Sequence, residues 1–295
     1  MPKQSALNRA KHEIHAALEK EARAIYSHND IAELLHRYRR LWRLPDSITA
    51  NRFLSFATDK GELNAQRVIA EKYGRSITRY VWGKASAYEL ALTLSPRAYF
   101  SHGTALVLHG LVAGDDRTLY LNIEQSKKPT PIGRLSQTGI DRAFKGPQRQ
   151  SEMVYAIAET AVVQIAGKNT DQLGVVEIAG AGRSPIRVTN VERTLIDIVV
   201  RPAYAGGPDA LVNSYRAARN RVSVDALLAT LKKLDYVYPY HQAIGFLLQR
   251  TGYQSSAYAK FRSPKIKHKF YLAHAMKQPA FCEEWRIFYP RNLTV

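Results

Sequence analysis

The chain has 295 residues, 45% of them hydrophobic, and carries 43 Lys+Arg against 25 Asp+Glu, a formal net charge of +18. That apolar content is ample for buried cores and the length fits two domains, which excludes wholly disordered and collagen-like chains. A single cysteine, Cys282, cannot close an intramolecular disulfide or build a cysteine-rich metal site, which excludes a stapled secreted fold and a zinc finger.

Residues 1–10 are polar, and no apolar run of signal-peptide length follows them. No segment approaches the roughly 18 uninterrupted apolar residues of a membrane span, so a cytosolic chain without membrane attachment is expected. The excess charge then asks for an anionic partner in solution, of which nucleic acid is the commonest. Residues 1–100 hold 17 basic and 10 acidic side chains, residues 101–200 hold 11 and 10, and residues 201–295 hold 15 and 5, so the charge lies at both ends.

In chain order, residues 5–26 form a helix-favouring run with Leu7, Ile14, Ala17, Leu18 and Ile25 near helical spacing. A second helix starts after Ser27, Asn29 or Asp30, with Ile31, Leu34, Leu35, Tyr38 and Leu41 on one face, Arg37, Arg39, Arg40 and Arg43 on the other, and Pro45 as its limit. Ser47 or Thr49 can cap a third helix over residues 50–59. There Phe53, Leu54 and Ala57 point inward, Asn51, Arg52, Ser55 and Thr58 point out, and Gly61 ends the helix. Residues 62–70 and 77–84 suit two strands joined through Gly74.

Three helices followed by a ribbon with a basic tip is the order of a winged helix-turn-helix, expected over residues 1–85. Its third helix can enter the major groove. Arg52 suits a bidentate contact to guanine and Asn51 to adenine, with Ser55 beside them; Ser47, Thr49, Lys72 and Arg75 suit phosphates, with Tyr73 at the tip and Arg37 and Arg40 on the flank.

Residues 86–295 read as a larger mixed α/β domain, making the whole chain α+β. Helices are expected over residues 87–94, 101–111 and 137–144, with a strand at 118–124 and a Pro/Gly/Ser-rich loop at 126–136. Strands at 153–158, 161–166, 174–178 and 186–188 then precede four helices at 191–200, 208–220, 224–234 and 240–251. Lys260, Arg262, Lys265, Lys267, His268 and Lys269 are interleaved with Tyr258, Phe261, Phe270 and Tyr271. Two readings of this second basic surface stay open: stacking and backbone contacts to nucleic acid, or a solvated hairpin whose aromatics turn into a sheet.

The stretch from Tyr99 through His102, Gly103, His109 and Gly110 to Leu111 is followed far downstream by Val188-Thr189-Asn190-Val191-Glu192-Arg193-Thr194-Leu195-Ile196-Asp197. Arg201-Pro202-Ala203-Tyr204-Ala205-Gly206-Gly207 comes next. Together these blocks resemble the AbiEi antitoxin family of bacterial type IV toxin-antitoxin systems, and with the expected winged helix the resemblance runs to about residue 250. The block around Glu192 to Asp197 is the more specific. The resemblance implies an autorepressor that binds inverted repeats in its own promoter. It also implies that the second domain counteracts a cognate nucleotidyltransferase toxin, typically without a stable complex.

The same motifs have an architectural reading. Glu192 complements a helix dipole, Asp197 and Arg201 have ion-pair spacing, and Gly206 and Gly207 lead into an N1 proline. His102 and His109 would share one helix face, without a third ligand nearby. An enzymatic alternative rests on Gly103-Thr104-Ala105-Leu106 followed by Asp115-Asp116, which resembles a nucleotidyltransferase opening. Adjacent carboxylates on a strand would point to opposite faces, unlike the Asp-x-Asp pair that holds Mg²⁺. A third reading is a non-catalytic module binding RNA or an acidic partner. No Walker loop or nucleophile elbow is present, and no catalytic residue, metal or cofactor is assigned.

Overall fold

A computed structural model describes residues 5–115, 117–127, 135–263 and 265–294. The polar residues 1–4, Asp116 and most of the 126–136 loop lie outside the described residues. The fold is mixed α/β, in keeping with the α+β expectation, and divides into two compact units. One comprises Met1–Pro96, Met153–Val162 and Glu177–Ile186; the other comprises Arg97–Glu152, Val163–Val176 and Arg187–Val295. The expected boundary at residues 85/86 therefore falls inside the first unit, which also takes in two later segments.

In the first unit, the 5–26 run is not one helix. It gives α1 (Ala6–Arg9), α2 (Lys11–Lys20) and then a strand, β1 (Ile25–Tyr26). Glu21 turns to extended backbone, and the β-branched and aromatic pair Ile25 and Tyr26 finds ladder partners in Val81 and Tyr80. Helix α3 (His28–Tyr38) opens with a reciprocal cap, in which Ser27 and Asp30 exchange side-chain to backbone hydrogen bonds. It stops three residues before Leu41, which is 67% exposed instead of lying on the apolar face. The reason is Trp42, which is buried and stacked between Tyr38 and Phe53 at centroid distances of 5.1 and 5.8 Å; the chain must leave the helix to seat it.

Arg39 fastens the turn that follows by donating to the carbonyls of Pro45 and Ile48 at 2.6 and 2.8 Å. Helix α4 (Ala50–Asp59) has the expected bounds, with Phe53, Leu54 and Ala57 buried. Strands β2 (Asn64–Ala70) and β3 (Arg75–Val81) pair antiparallel, joined by a 3-10 turn at Glu71–Tyr73 and a left-handed Gly74. Helix α5 (Ala87–Leu92) completes this stretch of chain.

In the second unit, β4 (Tyr99–Phe100), which no sequence period announces, leads into α6 (His102–Leu108). Strand β5 (Thr118–Glu124) pairs antiparallel with β4, and α7 (Gln137–Lys145) follows. The chain then returns to the first unit as β6 (Val154–Ile157), antiparallel to β2, and continues through β7 (Thr160–Gly167), β8 (Val175–Ile178) and β9 (Ile186–Thr189). Phe100 of β4 pairs in parallel with Val188 of β9. The core of the second unit is helical: α8 (Val191–Val200), α9 (Pro208–Ala218), α10 (Val224–Leu234) and α11 (Tyr240–Arg250) bury Leu195, Ile198, Tyr215, Leu227, Ile244 and Phe246. No described helix is long and apolar enough to cross a membrane.

The basic stretch near the C-terminus is not a hairpin. Its described residues form α12 (Ser255–Tyr258), a 3-10 turn at Ala259–Arg262 and a two-residue strand, β10 (Phe270–Tyr271). With β11 (Ala280–Cys282) and β12 (Ile287–Tyr289), β10 forms a small sheet in the order β10-β12-β11. Gly103 shows how closely the second unit is packed. A Cβ there would stand 2.9 Å from the carbonyl oxygen of Tyr204 and 3.1 Å from the Tyr120 ring. Gly103→Ala should therefore lower the unfolding free energy by about 1–3 kcal/mol in urea titrations, despite alanine's better helix propensity. An unchanged midpoint would contradict this packing.

Candidate nucleic-acid interface

The side chains expected to read DNA lie on three neighbouring pieces of the first unit's sequence. Thr49, not Ser47, caps α4 by accepting from the Arg52 amide at 3.3 Å; Ser47 is exposed just ahead of it. The first turn of α4 holds no acidic side chain, so the positive end of the helix is uncompensated. Asn51, Arg52 and Ser55 project from its exposed face. The Arg52 side chain makes no ion pair or hydrogen bond among the described residues, whereas Asn51 Oδ1 lies 2.7 Å from His28 Nε2, leaving its amide NH₂ to donate.

At the ribbon turn, Lys72, Tyr73 and Arg75 are exposed, Tyr73 to 55%. On the α3 side, Arg40 is exposed, while Arg37 is tied to Glu21 at 3.0 Å, an acceptor it shares with the Tyr38 hydroxyl. Arg37 is thus partly neutralised, a pairing the charge pattern did not reveal because Glu21 lies 16 residues away.

The second basic surface is changed more. Phe261 and Phe270 are fully buried in the helical core, so they cannot stack on bases. Lys260 reaches Asp225 at 2.5 Å, and Arg262 pairs with Glu284 while lying over the Tyr258 and Trp285 rings. Lys269 Nζ sits 5.4 Å from the Phe281 ring centroid. Lys265 and Lys267 remain exposed. Of the basic side chains in this stretch, Lys260, Arg262 and Lys269 are therefore engaged by local carboxylates or rings.

The family-motif residues form a different constellation, inside the second unit. The helix ion pair is not Asp197 with Arg201 but Arg193 with Asp197: Arg193 Nε donates to Asp197 Oδ1 at 2.8 Å, with both side chains buried. Arg201 falls just past the helix end, at φ −138°, so helical spacing no longer applies to it. Asn190 caps α8 by accepting from the Arg193 amide at 2.8 Å, and Glu192 accepts from the Ser223 amide at 3.0 Å. Arg193 Nη1 donates to Leu173 O and Thr170 Oγ1.

His102 and His109 do not act as a pair. His102 is buried at the start of α6 with φ +53°, its Nδ1 2.8 Å from Ser101 Oγ, while His109 at the other end holds Thr189 O at 2.6 Å. Gly206 and Gly207 both have positive φ, and Pro208 opens α9 as its first residue. Gly110 likewise has φ +62° after α6.

Burial, then Arg201 and Arg193, hold the His102 pKa well below its usual value; burial pushes His241 down to about 4, and His274 is lowered the same way. For such groups the folded pKa lies beneath the unfolded one, near 6.5. Their contribution is complete above that pH and is lost as pH falls towards the folded value. Unfolding free energy should therefore drop between pH 7 and pH 5, by at most about 2 kcal/mol from His241 alone. Urea titrations at the two pH values measure it, and a flat profile would contradict the burial of these rings.

Among the described residues no group of His, Cys, Asp or Glu is arranged to hold a metal ion. Asp115, exposed, pairs with Arg117 at 3.2 Å, and its sequence neighbour Asp116 lies outside the described residues. No protein-family model matches the chain, and no curated protein matches it. Among solved structures the chain is similar to the RV2827C protein from Mycobacterium tuberculosis, with a TM-score of 0.58 and 13% identity over 97% of this chain and 91% of that one. At that identity the likeness speaks for the fold alone.

Proposed function

We propose that the chain is a sequence-specific DNA-binding protein that represses its own operon, and that it is the antitoxin partner of a nucleotidyltransferase toxin, as the resemblance to the AbiEi family implies. The observation that carries the DNA-binding part is the exposed start of α4. An N-terminus capped by Thr49 and free of acidic residues presents Asn51, Arg52 and Ser55 together. The order α2, β1, α3, α4, β2, β3, with β1 on the free side of β3, supports reading residues 1–85 as a winged helix. In that reading α4 enters the major groove, and Lys72, Tyr73 and Arg75 form the tip of a wing on the phosphate backbone.

The Glu192 to Gly207 block supports the antitoxin part only through the resemblance, since these residues are engaged in the interior and turns of the second unit. A stable toxin complex is not part of the proposal. The test has two arms. Labelled duplex from upstream of the chain's own gene should bind more tightly than random duplex, losing about 100-fold in affinity between 50 and 200 mM salt if four phosphates are contacted. Co-expression with the product of the adjacent gene should restore growth. Equal affinity for both duplexes would overturn the autorepressor, and failure of rescue would overturn the antitoxin.

A further inference from the structure

Helix α7 forms one wall of a cleft of about 520 Å³ in the second unit. It is lined by Asp141, Arg142, Phe144 and Lys145 of the helix, by Tyr271 of β10 and by Met276 beyond it, among others. That size falls within the roughly 300–1,000 Å³ of small-molecule sites.

The two walls are joined at three points. At the start of α7, Gln137 Nε2 donates to Lys269 O at 3.0 Å and Gln137 Oε1 accepts from the Lys269 amide at 2.8 Å. At its end, the Ala275 amide donates to Phe144 O at 2.9 Å. Between them, the Tyr271 hydroxyl donates to Asp141 Oδ1 at 2.9 Å. The Phe144 ring stacks on those of Tyr271 and His274, at centroid distances of 5.6 and 4.3 Å. The cleft is thus built in advance, which lowers the ordering cost of binding.

Its polar groups are only partly used. Asp141 Oδ1 accepts from Gln137 Nε2 at 2.7 Å as well as from Tyr271, whereas Asp141 Oδ2 makes no hydrogen bond among the described residues. Burial, then the bond to Asp141, pushes the Tyr271 pKa up to about 12, so its hydroxyl stays a donor and the carboxylate stays fixed. Asp141 and Lys145 have the spacing of a helix ion pair but do not form one, because Asp141 is turned to Tyr271 and Gln137. Arg142 and Lys145 are exposed and make no hydrogen bond or ion pair among the described residues.

The cleft therefore offers two cations, one oriented acceptor and an apolar side made by Phe144, Tyr271 and Met276. A metal or organic cation would be repelled by Arg142 and Lys145. An acidic side chain would meet those cations but be repelled by Asp141. A dianion joined to a flat body with a neutral N–H donor matches all three features, and a thioether packs well on such a body.

We propose that this cleft binds a nucleotide whose base carries an exocyclic amine, with the phosphate at Arg142 and Lys145, the amine at Asp141 and the base against Met276. A phosphate monoester carries close to two negative charges at neutral pH, which meets the two cations. A free nucleoside monophosphate and the phosphorylated end of a single strand share this chemistry.

Isothermal titration calorimetry on the full chain tests it with two pairs that exchange an amine for a carbonyl oxygen, CMP with UMP and AMP with IMP, and with inorganic phosphate and ribose 5-phosphate. In at least one pair the amine-bearing nucleotide should bind about tenfold or more tightly than its partner and than either control. Arg142→Ala with Lys145→Ala should weaken it by about tenfold or more; both side chains are exposed, so the variant should fold. Asp141→Asn, its oxygen held by Gln137 and Tyr271, would present an amide donor and should shift preference towards the carbonyl member of the pair. A 5′-phosphorylated trinucleotide that binds more tightly than the monophosphate, and loses this in the double variant, assigns the site to a strand end; weaker binding assigns it to the free nucleotide. Binding no tighter than inorganic phosphate, or no preference within either pair, would overturn the proposal. So would a double variant that binds as before with a lowered unfolding midpoint, which would leave the two cations to the helix dipole. None of these outcomes depends on DNA binding by the first unit.

Discussion

Replacing Arg52 and Arg75 by alanine together is expected to cost about 2–4 kcal/mol of affinity for the upstream duplex, some 30- to 1,000-fold, with no change in unfolding midpoint. The two residues should fail differently. Arg52, on the exposed face of α4, has the fork geometry for the two acceptors of guanine, so Arg52→Ala should relax preference at one base pair. Arg75, the first residue of β3, lies on the ribbon and suits a phosphate, so Arg75→Ala should weaken all duplexes alike and reduce the salt slope by about one. Both side chains are exposed, which makes a loss through misfolding unexpected. Fluorescence anisotropy with the upstream duplex and single-base variants separates the two effects. Affinity unmoved by Arg52→Ala would remove α4 from the reading role.

Asp197→Ala is expected to be the most destabilising single replacement in the second unit. It leaves the Arg193 guanidinium buried without its carboxylate, for which a loss of about 3–5 kcal/mol is usual. Burial pushes the Asp197 carboxyl above its ordinary pKa in spite of Arg193, which marks how much desolvation the pair bears. Replacing both partners, Arg193→Met with Asp197→Leu, should recover part of the loss, because no charge is then stranded. Recovery will be incomplete, since Arg193 also serves Leu173 O and Thr170 Oγ1. Urea unfolding of the two singles and the double gives the coupling directly. A single-variant loss under about 1 kcal/mol would mean that the pair is solvated rather than buried.

Elements were legible in the sequence where a side-chain period and a cap agreed. The α4, α8 and α10 helices run between the expected residues because Thr49, Asn190 and Ser223 cap apolar faces with clean helical spacing. Strand β5 was legible from alternation. The two-residue strands β1, β4 and β10 were not, since a ladder of that length leaves no period and depends on a partner far along the chain.

The candidate sites divide in the same way. Exposure of Asn51, Arg52 and Ser55 follows from where Phe53, Leu54 and Ala57 must point. The choice of Arg193 over Arg201 as partner of Asp197 does not, because both stand four residues away and only the helix end separates them. The basic C-terminal stretch left two readings open for a related reason: Phe261 and Phe270 alternate with lysines as surface aromatics would, and only tertiary packing, which takes them into the core, decides for aromatics turned inward. Asp141, which no motif marked, becomes noticeable only through its bond to Tyr271.

The central claim is that α4 and the β2–β3 ribbon read an operator in front of the chain's own gene. Footprinting of that upstream region with the full chain tests it most directly. The account predicts protection of an inverted repeat, with base-specific loss at one position for Arg52→Ala and uniform loss for Arg75→Ala. Protection spread evenly along the fragment, or none at moderate salt, would contradict it.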